Sequence, residues 1–238
     1  MNFLLHRHFA SIELGSALAG VGAMLPDLFR LAGRKLRAPR PDAPSAGPCG
    51  DEIGRGIGHH FETDRWFHVG RVFREGERET AALMRALPAP PPKLALFAHV
   101  IWEMCLDGAH LRRVGLGAVL AELRAAAPRL DPEVLAALAA TTAPDATSDD
   151  HARVGQRVAE LWERLLDGGW LEAYCSGEGR CFPLGGVRSL FGLPFFEPAE
   201  RAVLARALER RLLAAEARLD ALASEWPVAS GHTGRGMR

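Results

Sequence analysis

GIGHHFETDRWFH, residues 56–68, carries His60, Asp64 and His68 four positions apart. A spacing of four stacks side chains along one face of an α-helix, drifting only about 40° per step. HVIWEMCLDGAH, residues 99–110, repeats the device with His99, Glu103 and Asp107. Neither triplet contains a Lys or Arg, so plain surface ion pairing does not account for them. Two such helices side by side would line a cleft with six groups able to hold a hydrated metal ion. The intervening residues of the second stretch (Val100, Ile101, Trp102, Met104, Cys105, Leu106) are apolar nearly all round, the mark of a buried helix. Buried carboxylates must be paired or metal-bound.

Composition extends this helical reading to the whole chain. Ala, Leu, Arg and Glu dominate the 238 residues and Tyr occurs once, which favours helix over strand. An all-α fold is expected, as one domain over 1–228 with a flexible loop at 34–51 and a disordered tail at 229–238. The 29 basic side chains balance 29 acidic ones, which gives no reason to expect nucleic acid or an anionic membrane as partner. Cys49, Cys105, Cys175 and Cys181 show no CxxC pairing. The opening MNFLLHRHFA has three ionisable side chains where a signal peptide has an apolar core. No stretch approaches the roughly 18 apolar residues that span a bilayer. A soluble, cytoplasmic protein with reduced thiols is expected. Its oligomeric state is left open.

Along the chain, residues 9–24 read as one close-packed helix ending at Leu25-Pro26-Asp27, with Pro26 opening a short second helix. Helix resumes near Ile53 and runs to about Phe73, followed by REGERET (74–80) as a charged link into a helix ending near Leu87. PAPPP at 88–92 is an extended connector. Helices follow over 93–113, 115–127 and 131–142, the last begun by Asp131-Pro132-Glu133 as N-cap, proline and acidic first turn. A loop over 144–150 leads to a helix over 151–167. In the glycine- and aromatic-rich region at 168–198, Phe191, Phe195 and Phe196 are expected in the core. A final helix spans 198–225 with a stripe of Leu204, Leu208, Leu212, Ala215, Leu219, Leu222 and Trp226.

Seven of the nine histidines fall within the first 110 residues, together with Asp27, Asp64, Glu103 and Asp107. A mixture of imidazole and carboxylate suits Mn²⁺, Fe²⁺ or Zn²⁺. The absence of suitably spaced thiolates argues against a structural zinc site. An open metal position would lower the pKa of bound water and polarise a phosphoryl oxygen. His6 and His8, two apart, share a face only in an extended chain, so one of them is expected at a metal or phosphate and the other in the structure. His59, His110, His151 and His232 are expected outside the site.

These pieces resemble the acyl carrier protein phosphodiesterases, which remove 4′-phosphopantetheine from holo-acyl carrier protein. MNFLLHRHFA is similar to that family's MNFLAHLHLA-like start, and GAMLPDLF (22–29) to its GNLL(G/A)DF-like segment, which puts Asp27 on the family's aspartate. GIGHHFETDRWFH sets His60 and Asp64 on the histidine and aspartate of a GIxxHRxID-like segment, with His68 where a second aspartate falls. EMCLDGAH (103–110) sets Glu103 and Asp107 on the acids of a DVxxDHF-like helix, and ARLDALASEW (217–226) is similar to the tail. Phe61 stands where the family has arginine, and Gly108 where it has the histidine of a DH pair.

The resemblance covers residues 1–113 and, more loosely, 200–226. It implies an all-α, HD-domain-like helical bundle and Mn²⁺-assisted phosphodiester hydrolysis, with acyl carrier protein as partner. It also implies Asp27, His60, Asp64, His68 and Asp107 as metal ligands. His99 and Glu103 would then serve as further ligands or acid–base groups, and His6 or His8 as the phosphate contact. A metal-dependent phosphatase or nucleotidase acting on a small molecule fits the same residues, as does a helical relative without chemistry.

Overall fold

A computed structural model describes residues 3–39, 47–87, 90–91, 93–142, 146–181, 184 and 197–226, and no strand occurs among them. Helices α1 (Phe3–Leu14), α2 (Ala17–Leu31), α3 (Gly47–Phe67), α4 (Arg71–Arg85) and α5 (Leu94–Val114) form the amino-terminal half. Then come α6 (Leu116–Ala126), a 3₁₀ turn (Ala127–Arg129), α7 (Pro132–Thr142), α8 (Ser148–Leu166), α9 (Gly169–Ala173) and a short helix α10 at 177–181. Helices α11 (Pro198–Glu216) and α12 (Leu219–Glu225) follow. The expected all-α class is what the described residues show. A contiguous buried apolar cluster runs from Phe3 to Leu222.

Several boundaries differ from expectation for local reasons. The single helix expected over 9–24 is two helices, because Gly15 takes a left-handed φ of 61° and Ser16 caps α2 by accepting the Ala19 N–H at 3.1 Å. Pro26 lies inside α2 and does not begin a new helix. Helix α3 starts at Gly47, earlier than expected, and ends at Phe67. REGERET is helical: Val72, Phe73, Gly76, Thr80 and Met84 give α4 a buried face, and the charges lie on the other side. Helix α8 begins at Ser148, capped by the Thr147 side chain, which accepts the Asp150 N–H. The Asp131 carboxylate accepts the Val134 N–H at 2.8 Å, as its capping role requires. The final helix is interrupted after Glu216, and the expected leucine stripe is buried on both of its halves. The expectations for residues 40–46, for most of 88–92, for Phe191, Phe195 and Phe196 and for the tail lie outside the described residues.

By length and mean hydropathy alone, α5 is apolar enough to cross a membrane, contrary to the sequence-based expectation that no segment qualifies. Some 78% of that window is buried within the fold, where α1, α4 and α11 pack on it.

The contact between α2 and α3 is unusually close. A Cβ on Gly22 would run into the Ile53 carbonyl, and one on Gly56 into the Ala19 carbonyl. Backbone thus meets backbone, and this proximity carries His60 to within reach of α2.

Candidate metal centre

His60 is 3% exposed and donates its Nδ1–H to the Ala23 carbonyl at 2.8 Å. That bond fixes the tautomer and leaves Nε2 with its lone pair. Burial holds the His60 pKa below its ordinary value against the opposing carboxylates of Asp27 and Asp64, so the ring is a neutral donor. His6 comes from α1, its ring centroid 4.1 Å from that of His60 and its Nε2 3.8 Å from Asp64 Oδ1. Burial, and then His60, pull the His6 pKa well down, and its buried Nδ1 has no hydrogen-bond partner among the described residues. One donor atom from each of His6, His60 and Asp64 lies within 4.8 Å of the others.

A second group meets the same criterion: His68, His99 and Glu103. His68 Nε2 lies 3.4 Å and His99 Nε2 3.3 Å from the same Glu103 oxygen. His99 donates its Nδ1–H towards Glu77 Oε1 at 3.1 Å. Burial lowers the His99 pKa, but Glu103 and Glu77 outweigh it, and the net shift is upward. Glu103, 4% exposed, is pushed up by burial yet held well below the usual carboxylate range by cationic and hydrogen-bonding neighbours, His68 and His99 among them.

The two groups share an edge. His68 Nδ1 is 3.5 Å from Asp64 Oδ1, so carboxylates and imidazoles alternate from His6 through Asp64, His68, Glu103 and His99 to Glu77. Two donors bound to one first-row metal at about 2.0–2.2 Å can be no more than about 4.4 Å apart. Side chains within 4.8 Å therefore need only small rotations to close on a cation. The nitrogen-and-oxygen donor set, the pinned tautomers and the orphaned His6 Nδ1 fit a divalent metal.

Not every expected ligand joins them. Asp107 is fully buried, with Oδ2 accepting the Leu4 N–H and Oδ1 the Leu5 N–H, each at 3.1 Å. It closes the amino-terminal turn of α1 from across the core and, although expected as a ligand, belongs to neither donor group. Burial pushes its carboxyl up to about 8, against the two amides that hold it down. Asp27 is 5% exposed and near enough to His60 to raise its pKa, but it belongs to neither group. His8, on the opposite side of α1 from His6, also belongs to neither: its ring is 4.5 Å from that of His110. A helix separates residues two apart by about 200°, so only one of the pair can face the site. His59, buried, pairs with Glu13 at 2.8 Å.

Gly108, where the resembled family has histidine, has no room for a side chain. A Cβ there would strike the Tyr174 carbonyl and the Arg180 guanidinium. Tyr174 is fully buried, and its hydroxyl has no hydrogen-bond partner among the described residues. Burial first, then Asp107, Asp27 and Glu103, raise its pKa well above the ordinary value.

Two neighbours of the centre escape the sequence reading. Glu77 was assigned to a charged link, although the 72, 73, 76, 80, 84 periodicity of α4 sets it at the edge of the buried face. Tyr174 lies in the illegible region after 168, where no spacing signal marks it. Compared with protein-family models, with curated proteins and with solved structures, the chain matches none.

Proposed function

We propose that this protein is a divalent-metal-dependent phosphodiester hydrolase of HD-domain-like architecture, related in chemistry to acyl carrier protein phosphodiesterases. The observation that carries the reading is the way His60 and His99 are held. Each donates Nδ1–H to a fixed acceptor, Ala23 O or Glu77, which leaves Nε2 free to bind, and that of His99 lies 3.3 Å from Glu103. Ligand histidines are typically oriented by just such a second partner.

In this reading His6, His60 and Asp64 hold one cation, Mn²⁺ foremost and Fe²⁺ or Zn²⁺ otherwise, and His68, His99 and Glu103 hold a second. A bound cation lowers the pKa of water and polarises a phosphoryl oxygen. The protein supplies the remainder. Asp64 and His68 fix the spacing between the two positions. Buried Glu103 offsets the positive charge gathered there, and Glu77 keeps the His99 Nδ1 proton in place so that Nε2 stays directed at the centre.

The test is metal analysis of purified protein, followed by hydrolysis of bis(4-nitrophenyl) phosphate after chelation and Mn²⁺ return. Expected are bound metal, activity restored by Mn²⁺, and, in a His60→Ala, Asp64→Ala double variant, loss of activity and of the inner cation while the outer group still takes up its own. The mass decrease of holo-acyl carrier protein on losing 4′-phosphopantetheine tests the substrate. Full stoichiometric uptake by the double variant overturns the centre.

A further inference from the structure

An open cleft of about 570 Å³ lies along α4, lined by Val69, Arg71, Arg74, Glu75, Glu77 and Arg78. That volume is in the range of small-ligand sites. Its charged residues are unequally engaged. Arg71 reaches Glu75 at 3.6 Å and Glu225 at 3.3 Å, and Glu77 is held by His99 at 3.1 Å. Both carboxylates of the cleft are thus paired. The guanidinium groups of Arg74 and Arg78 have no hydrogen bond or ion pair with any other described residue. They lie one helical turn apart, with Cβ atoms about 5–6 Å from each other, which lets both converge on one phosphate or span two. Planar guanidinium forks match phosphate oxygens in pairs.

The cleft also touches the metal centre. Glu77 lines it on one side and binds His99 on the other, and His99 is 3.3 Å from Glu103. A ligand in the cleft therefore sits one side chain away from the outer ligand group.

We infer that this cleft is an anion subsite in which Arg74 and Arg78 hold a second phosphate group of the substrate, beyond the one that is hydrolysed. The inference rests on the phosphodiesterase reading. It narrows the substrate to small phosphodiesters that carry a further phosphate, such as nucleotide-like or diphosphate-bearing compounds. Arg71, already paired with two carboxylates, shapes the lip and contributes less.

The experiment measures binding of inorganic pyrophosphate to the full chain by calorimetry after chelation, so that no metal bridges protein and probe. Binding that weakens as salt rises is expected, because the contact is between charges. Arg74→Ala with Arg78→Ala should weaken it at least tenfold. Arg153→Ala with Arg157→Ala, two exposed arginines of α8 away from the cleft, should leave it unchanged. Equal affinity in the two double variants, or no binding by the parent protein, overturns the subsite. The two readings fail separately. Pyrophosphate binding that depends on Arg74 and Arg78, in a protein that never takes up Mn²⁺, upholds the subsite and removes the metal centre. Mn²⁺ uptake with pyrophosphate indifferent to both arginines removes only the subsite.

Discussion

Glu103 and Asp107 stand one turn apart on α5, 4% and 0% exposed, and their partners differ in kind. Glu103 faces two imidazoles, one from the turn that follows α3 and one from its own helix. Asp107 faces two backbone amides of α1. Amides at the start of a helix cannot turn away or change charge, so the carboxylate they hold is committed to architecture. Imidazoles can rotate, lose a proton and accept a metal in its place. The same spacing on one helix face thus yields an adjustable turn and, directly beyond it, a fixed one.

The largest expected effect tests that division through stability. Asp107→Ala leaves the Leu4 and Leu5 amides buried without a partner, at about 1–3 kcal/mol each, or roughly 2–6 kcal/mol together. The urea midpoint should fall accordingly with an unchanged slope. Glu103→Gln should move the midpoint less than half as far, yet abolish cation uptake by the outer group. Comparable destabilisation by both substitutions would erase the distinction between the turns.

Gly108 sharpens the comparison at the fixed turn. Alanine there meets the Tyr174 carbonyl and should cost about 1–3 kcal/mol, as overpacking does. Histidine, the residue of the resembled family, should cost at least as much and add no metal uptake. A Gly108→His protein as stable as the parent would show that the Tyr174–Arg180 segment yields easily.

The smallest effect concerns pH at the adjustable turn, where protons compete with metal for imidazole. Glu103 and Glu77 raise the His99 pKa despite its burial, so this ring becomes protonated at a comparatively high pH. Burial lowers the His6 and His60 pKa values, so those rings stay neutral to lower pH. On acidification the outer group should release its cation first. Mn²⁺ titrations between about pH 8 and 5 can be compared in His60→Ala, which keeps the outer group, and His99→Ala, which keeps the inner one. The half-release pH should be higher in His60→Ala, and adding Glu77→Gln should bring it down. Release in the reverse order contradicts the assigned environments.

The sequence made the helices, and the face shared by His60, Asp64 and His68, legible because periodicity reports which residues point the same way. It placed Asp107 on that footing too, since a spacing of four cannot tell a metal from an amide as the partner of a carboxylate. That partner arrives from α1, over a hundred positions away, and nothing local announces it. The spacing of two separated His6 from His8, but choosing which of them faces the site needed the helix over 3–14 and its packing on α3. REGERET was misread for the opposite reason. Its charges are conspicuous, while the small buried residues Gly76 and Thr80, which keep α4 going, look like breaks.

The Asp107 bond to Leu4 spans 103 positions, and this sets an order on how the molecule is made. Helix α1 is synthesised before α5, but the carboxylate that closes its first turn belongs to the middle of α5. Until that part of the chain has been synthesised, two amides of α1 lack the acceptor they have in the finished fold. Closing so long a loop carries a larger entropic cost than any neighbouring contact, so it waits for the core between to form. The turn of α1 that carries His6 is thereby closed only after Asp107 has emerged. A nascent chain ending before α5 carries three of the histidines of the centre but lacks the acceptor that closes the turn holding the first of them.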